Sequence, residues 1–379
     1  MEHSEVIVLG AGGVGSAAMW QLARRGVATI GLDRFEPPHE HGSSHGETRV
    51  IRLAYFEHPH YVPLLLRAYE LWAQAEEESG DDLYRETGII EVGPRDGEII
   101  GGVRRAATRH GLALDELTER EVGERFPGFV VPDGYDAVFE HRSGFLWVER
   151  CVRAHLELAA AAGADVRTGT TVHGWRADGD GVVVDTDRGR IGADRLLVTA
   201  GSWSAGLLTD LGLPLEVLRK PMFWFEADPV YNADSGSPQF FYDTPAGQFY
   251  GFPAHDERGL KVAQHTGGEP VADPLAVDRS LLDADLGAVT RFLGDHLPGV
   301  HVDRRTGHAV CLYTSTPDGH FVVDRHPTHP QVCFAAGLSG HGFKMTNTLG
   351  QILADLALTG STDLPIDFLS ASRFSAATA

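Results

Sequence analysis

An apolar run, Val6-Ile7-Val8-Leu9, passes directly into the glycine-rich stretch Gly10-Ala11-Gly12-Gly13-Val14-Gly15. A helix-forming stretch from Ser16 to Arg25 follows, then Gly26, a second apolar run from Ala28 to Leu32, and Asp33. Strand, glycine turn, helix, strand and acid, in that order, predict a dinucleotide-binding βαβ unit of the G-x-G-x-x-G kind. Gly10 permits the tight turn, Gly12 lets backbone amides approach a pyrophosphate, and Gly15 lets the helix pack close to the strand. The helix start favours phosphate charge, and Asp33, 18 residues past Gly15, can bind a ribose hydroxyl. Gly10, Gly12, Gly13, Val14, Gly15 and Asp33 are therefore the first cofactor-binding candidates. The alternative is a glycine-rich structural turn.

The periodicity is lost over Arg34 to Thr48, a loop containing Pro37, Pro38, Gly42, Ser43, Ser44 and Gly46. Irregular connections of this length usually carry function. Helical spacing returns from Tyr61 to about Glu78, with Leu64, Leu65, Ala68, Leu71 and Trp72 inward. Leu83 to Phe139 reads as short strands mixed with one or two helices. Trp147 to Ala162 predicts an amphipathic helix, followed by strands at Asp165–Arg167, Val182–Asp185 and Arg195–Ala200. The last of these reads as a buried parallel strand ending at Gly201, facing the nucleotide. Val217–Phe225 and Phe240–Gln264 are β-rich, and Asp283–Leu293 fits a helix. A strand at Val332–Ala336, a turn with Gly337, Gly340 and Gly342, and a helix from about Met345 to Leu358 close the pattern at Gly360. The expected fold is α/β joined to α+β. A discontinuous Rossmann-like nucleotide domain takes residues 1–85, 145–215 and 305–379. A second, sheet-rich substrate domain takes 86–144 and 216–304.

Composition narrows the picture. A chain of 379 residues usually divides into more than one core. A formal charge of −21 argues against nucleic acid or an anionic membrane as partner. No apolar run approaches the roughly 18 residues of a membrane span. Met1-Glu2-His3-Ser4 has no basic segment, so no signal peptide and a cytoplasmic location are expected. Three cysteines, Cys151, Cys311 and Cys333, are too few for a disulfide framework and lack zinc-site pairing.

Arg49 and Arg52 stand three residues apart in an otherwise apolar stretch, where two guanidiniums are costly to bury without anions. Either they meet an anionic ligand or they form an ion pair with Glu57 or another acid. Lys344, at the end of the glycine turn, reads as a solvated lysine or as part of a site. Lys261, four residues before His265, is on spacing alone a surface lysine on a strand, and Cys311 alone would be a buried inert cysteine.

Four blocks change that balance: Gly10–Gly15 with Asp33; His45-Gly46-Glu47-Thr48-Arg49-Val50-Ile51-Arg52 with Tyr55 and Glu57; Tyr250-Gly251-Phe252-Pro253 with Lys261 and His265; and Cys311-Leu312-Tyr313 with Gly340-His341-Gly342-Phe343-Lys344. Over nearly the whole chain this combination resembles the monomeric sarcosine oxidase and N-methyltryptophan oxidase family of FAD enzymes. The resemblance implies that Arg52 and Lys344 bind a substrate carboxylate, with Tyr313 and Phe241 lining the pocket. It places Arg49 against the flavin, Lys261 at the point of oxygen activation, and His265 and Tyr250 around the substrate. It adds Arg34, Ser43, Ser44, Thr48, Arg49, Gly201, Gly340, Gly342 and Lys344 to the cofactor site, with Cys311 attached through sulfur to the flavin 8α-methyl.

The implied activity is oxidation of a secondary, N-methyl amino acid by hydride transfer to FAD. The imine hydrolyses to formaldehyde and an amino acid, and O2 becomes H2O2. A cyclic imino acid oxidase of pipecolate or proline type, or a flavin-binding subunit of a hetero-oligomeric dehydrogenase, are the alternatives. A monomer with small-molecule partners is expected. The bulk of Phe240, Phe241 and Tyr242 suits either a small or an aromatic substrate. His39, His41, His45, His58 and His60 have spacing too mixed for zinc. Ser202-Trp203-Ser204-Ala205-Gly206 lacks the first glycine of a hydrolase elbow.

Overall fold

Strand Glu2–Leu9 alternates in exposure only at its start; Val6 to Leu9 are all buried. The reason is its place between two parallel neighbours, Gly189–Val198 on one side and Thr29–Leu32 on the other. Strands covered on both faces read as continuous apolar runs. Helix Gly13–Ala23 is buried along its whole length, packed by helices Val148–Ala161 and Thr346–Thr359. Gly10 turns the chain at a φ of +92°, and a Cβ on Gly15 would collide with the Gly10 carbonyl. The expected βαβ unit is therefore present, with its helix entering at Gly13 rather than Ser16. The computed structural model describes residues 1–378, with side chains to residue 374. Residue 379 of the expected 305–379 segment lies outside the described residues.

The sheet built on this unit has eight strands, running Val172–Asp178, Gly181–Thr186, Gly189–Val198, Glu2–Leu9, Thr29–Leu32 and Asp165–Arg167, with Val332–Ala336 and Val322–Arg325 extending from Gly189–Val198. Strand Val172–Asp178 was not in the sequence reading. Its residues are half exposed and largely polar, because it belongs to an antiparallel meander with one wet face. The predicted strand ending at Gly201 is longer at its start and stops at Val198, its last three residues pairing parallel with Val332–Phe334. The expected helix at Asp283 is a 3-10 turn, Asp283–Asp285, followed by helix Gly287–His296.

A second, nine-stranded sheet carries Glu216–Ala227, Leu260–Gln264, Gly247–Phe252, Gln239–Thr244 and Ile89–Pro94 as its central strands. Its two faces divide by the two-residue period of a strand. Phe223, Phe225, Phe240, Phe249 and Val262 pack on one side with Phe292 of helix Gly287–His296. Met222, Trp224, Phe241, Tyr250, Phe252 and Cys311 gather on the other. This second face looks toward the glycine turn.

The expected domain boundaries need correction. Strand Val300–Ser315 pairs along Glu216–Ala227, so residues 305–315 belong to the second sheet and not to the nucleotide unit. The divisions at 85 and 145 likewise fall inside a three-stranded sheet made of Thr48–Ile51, Gly144–Trp147 and Tyr84–Glu86. Strand Val300–Ser315 is irregular. Trp224 pairs with Gly307 and Phe225 with Arg305, which leaves Thr306 unmatched in a bulge. Beyond the bulge Val310 to Thr314 become buried.

Candidate active site

A cavity of about 390 Å3 runs from the glycine turn to the buried end of strand Val300–Ser315. Its wall includes Gly10, Gly12, Gly13, Val14, Asp33, Arg34, Ser43, Ser44, Arg49, Gly201, Cys311, Tyr313, Gly340 and Gly342. Most of the expected cofactor residues therefore meet at one place. Asp33 is fixed there by accepting hydrogen bonds from the Ala11 amide at 2.8 Å and the Phe35 amide at 2.9 Å. A Cβ on Gly12 would meet nothing nearer than Ser44 Oγ at 3.8 Å, so the turn is open to the cavity. An open glycine turn on a helix N-terminus, with a carboxylate at the end of the next strand, fits an adenine dinucleotide. Three expected cofactor residues do not line the cavity. Gly15 is spent on close packing, Thr48 faces Lys261, and Lys344 lies deeper.

A smaller chamber of about 50 Å3 adjoins it, with Arg49, Tyr313, Gly340 and Phe343 lining both. Arg52, Lys344, Tyr250, His265, Phe241, Val50 and His341 complete its wall, together with Glu57. Arg52 is buried. Its Nη2 donates to both Glu57 oxygens at 3.0 Å, its Nη1 donates to the Ala54 carbonyl at 3.1 Å, and Phe56 and Tyr55 cover the guanidinium faces at 4.4 and 4.6 Å. The ion pair with Glu57 anticipated from spacing is present, in the same chamber as the expected ligand site. Lys344 Nζ donates to the His341 carbonyl at 2.9 Å and to Tyr55 Oη at 3.3 Å. Burial, with Arg52 beside it, lowers Lys344 to about 7. His265 is held neutral, pushed down to about 3 chiefly by burial, and its Nδ1 lies 3.3 Å from the Tyr313 hydroxyl.

Lys261 lines neither space. It is buried behind the Gly46–Thr48 turn, donating to the Gly46 carbonyl at 2.5 Å, the Thr48 carbonyl at 2.9 Å and Thr48 Oγ1 at 3.1 Å. Burial, reinforced by Arg49, pushes it well below an ordinary lysine. Cys311 is buried, and Arg49 Nη2 lies 3.2 Å from its sulfur.

Several supporting residues escaped the sequence reading. Glu149 accepts the Gly46 amide at 2.7 Å, and Glu47, at a φ of +75°, faces His255 Nε2 at 2.9 Å and also pairs with Arg258. These contacts shape the turn that holds Lys261. Lys220 donates to the carbonyls of His265, Thr266 and Gly267 at 2.9 to 3.0 Å, which fixes the strand end that presents His265. No sequence spacing signals such long-range pairs. The histidines set aside for zinc do not converge as one ligand set. Among the described residues the acid and histidine groups that do meet are Asp210–His326–His329 and Glu47–His255–Asp256. In the first, His326 Nδ1 accepts the Thr328 and His329 amides, and its Nε2 lies 2.9 Å from Asp210 Oδ2.

The chain is similar to known proteins over its full length. It is 42% identical over 377 residues to a monomeric sarcosine oxidase from Bacillus sp. (strain B-0618), covering 98% of this chain and 96% of that protein. It is 37% identical over 374 residues to N-methyl-L-tryptophan oxidase from Escherichia coli O139:H28 (strain E24377A / ETEC), covering 98% and 99%. Among solved structures, NikD, an unusual amino acid oxidase essential for nikkomycin biosynthesis, matches with a TM-score of 0.86 at 28% identity, covering 98% of each chain. The family described as DAO, FAD dependent oxidoreductase, matches residues 5–356. With these matches and the open dinucleotide cavity, the chain belongs to the DAO family of FAD-dependent oxidoreductases.

Proposed function

We propose that this enzyme oxidises a small N-methyl amino acid of the sarcosine type, acting as a monomer in the cytoplasm. The observation that carries the reading is the small chamber, where Arg52 and Lys344 share one space with the wall of the large cavity. Charge-assisted hydrogen bonds from a guanidinium and an ammonium suit a carboxylate, with Glu57 holding Arg52 when no substrate is bound. Phe241, Tyr250, His265 and Tyr313 enclose the rest of the substrate and exclude water from it. The neutral His265 imidazole adds a polar contact without adding charge. Fixing the carboxylate in this way orients the N-methyl carbon toward the shared wall. Bound FAD supplies the two-electron acceptor, so that substrate plus water and O2 give formaldehyde, the primary amino acid and H2O2.

Size favours the smaller substrate. The chamber holds about four water-sized positions, enough for a handful of heavy atoms. An indole exceeds that space unless the chamber widens. The relatives' names span both sarcosine and N-methyltryptophan, so the chamber is what favours the smaller. No helix among the described residues is long and apolar enough to cross a membrane. The test is peroxide release by the purified chain with a panel of N-methyl and cyclic amino acids. Sarcosine is expected to give the highest kcat/KM, and a preference for N-methyltryptophan or proline would overturn the size argument.

We further propose that Cys311 carries the flavin through its sulfur. It lines the large cavity, whereas Cys151 and Cys333 are enclosed in the core. Burial pushes the Cys151 thiol far up and the Cys333 thiol up to about 12, as expected of inert cysteines. Acid-precipitated protein is expected to stay yellow. Cys311→Ser should release FAD into the supernatant, and Cys151→Ser and Cys333→Ser should not. Free FAD from the unmodified protein would remove the covalent bond from this reading.

A further inference from the structure

Arg52 is held from two directions. Glu57, partly exposed, takes Nη2 at 3.0 Å, while Glu91 lies behind Nη1 at 3.3 Å. Glu91 sits on strand Ile89–Pro94 in register with Phe241, on the sheet face that carries Ile89 and Tyr250. It is fully buried, and neither of its oxygens has a hydrogen-bond partner. The other ionisable groups facing it are Glu140 on the adjoining strand Tyr135–Glu140, Glu57, and Lys344 from the opposite side. Glu140 is already engaged, accepting the Leu53 and Ala54 amides at 2.7 Å each. A bare carboxylate in such a place is costly unless it is protonated or compensated. Behind a guanidinium meant for a substrate carboxylate it also opposes binding.

We propose that Glu91 sets the charge of the substrate site. Protonated, it leaves Arg52 free to attract a carboxylate; ionised, it neutralises Arg52 from behind and weakens that attraction. This inference rests on reading the chamber as a carboxylate site. Burial pushes the Glu91 carboxyl up to about 8, against the pull of Arg52. Lys344 loses its proton near 7. Both changes have the same sign. As pH rises, the lysine ammonium is lost and a negative charge appears on Glu91, so affinity for a carboxylate falls.

The test is acetate binding to the holoenzyme from about pH 6 to 10, followed by perturbation of flavin absorbance and by calorimetry. Acetate is ionised throughout and has no amine to titrate. In the unmodified enzyme the share of the weakening due to Glu91 is expected to be about tenfold, the order expected for one added like charge at a buried site. Glu91→Gln should lose that share of the weakening and bind acetate about tenfold tighter than the unmodified enzyme above pH 9. Glu91→Met provides the same comparison should the glutamine variant fold poorly. An unchanged weakening from pH 6 to 10 in either variant overturns the role of Glu91. Failure of the unmodified enzyme to bind acetate, or failure of acetate to compete with substrate, overturns the carboxylate reading itself and this inference with it.

Discussion

Arg52→Ala is expected to lower kcat/KM for carboxylate-bearing substrates by roughly 30- to 160-fold, mainly through KM. A charge-assisted bidentate pair contributes on the order of 2–3 kcal/mol, which converts to that range. The loss has two sources. The substrate carboxylate loses its guanidinium, and Glu57 and Glu91 lose the cation that each approaches within 3.3 Å. With Arg52 gone, an incoming carboxylate meets acids in place of a base. Steady-state kinetics on the best N-methyl amino acid, with a thermal melt to establish folding, measures the effect. An unchanged kcat/KM in a folded variant rules out Arg52 as the carboxylate anchor.

Lys261→Met should separate the two halves of the reaction. Anaerobic flavin reduction by substrate is expected to continue at near its normal rate, while reoxidation by O2 slows by about two orders of magnitude. The structure gives the lysine a defined place, with three oxygen acceptors from Gly46 and Thr48 around its Nζ. An ammonium has three donors to meet all three, whereas a neutral amine has two. Because burial and Arg49 lower its pKa, the charge is lost at a lower pH than for an ordinary lysine. Reoxidation in the unmodified enzyme should therefore fall as pH rises, and the variant should show no such fall. Stopped-flow absorbance of each half-reaction provides the measurement. Slowing confined to the reductive half would remove Lys261 from oxygen chemistry.

How much of this was legible in the chain depended on how local the cause was. The βαβ unit was readable because Gly10, Gly15 and Asp33 act within one short segment. The helices at Tyr61 and Thr346 were readable because each buries a continuous face. Strand Val172–Asp178 was not, since half-exposed polar residues carry no apolar period. The domain boundary at residue 305 was misplaced because a strand's partner is not written in its own sequence. The strand-like run Ala309–Tyr313 fits either sheet equally well. At the site, the family blocks pointed to Arg52, Lys344, Cys311 and Lys261. They did not point to Glu91, whose significance appears only when two sheets bring it behind Arg52. Chamber size was equally hidden, being set by how Phe241 and Tyr250 meet Gly340 and Phe343 across the fold.

The bulge at Thr306 has a consequence for how this chain tolerates changes in length. Cys311 and Tyr313 share a face because they are two apart on a regular strand, and both reach the large cavity. Deleting Thr306 would remove one of the two register shifts along this ladder while leaving every residue from Gly307 inward in phase. The exposed outer arm, residues 302–306, is thus where the gain or loss of a single residue is expected to be absorbed. An insertion between Cys311 and Tyr313 has no such buffer, since it would turn one of them to the opposite side of the sheet. Loop grafting and fusion designs on this scaffold therefore have a usable joint at Thr306 and none on the buried stretch from Val310 to Thr314.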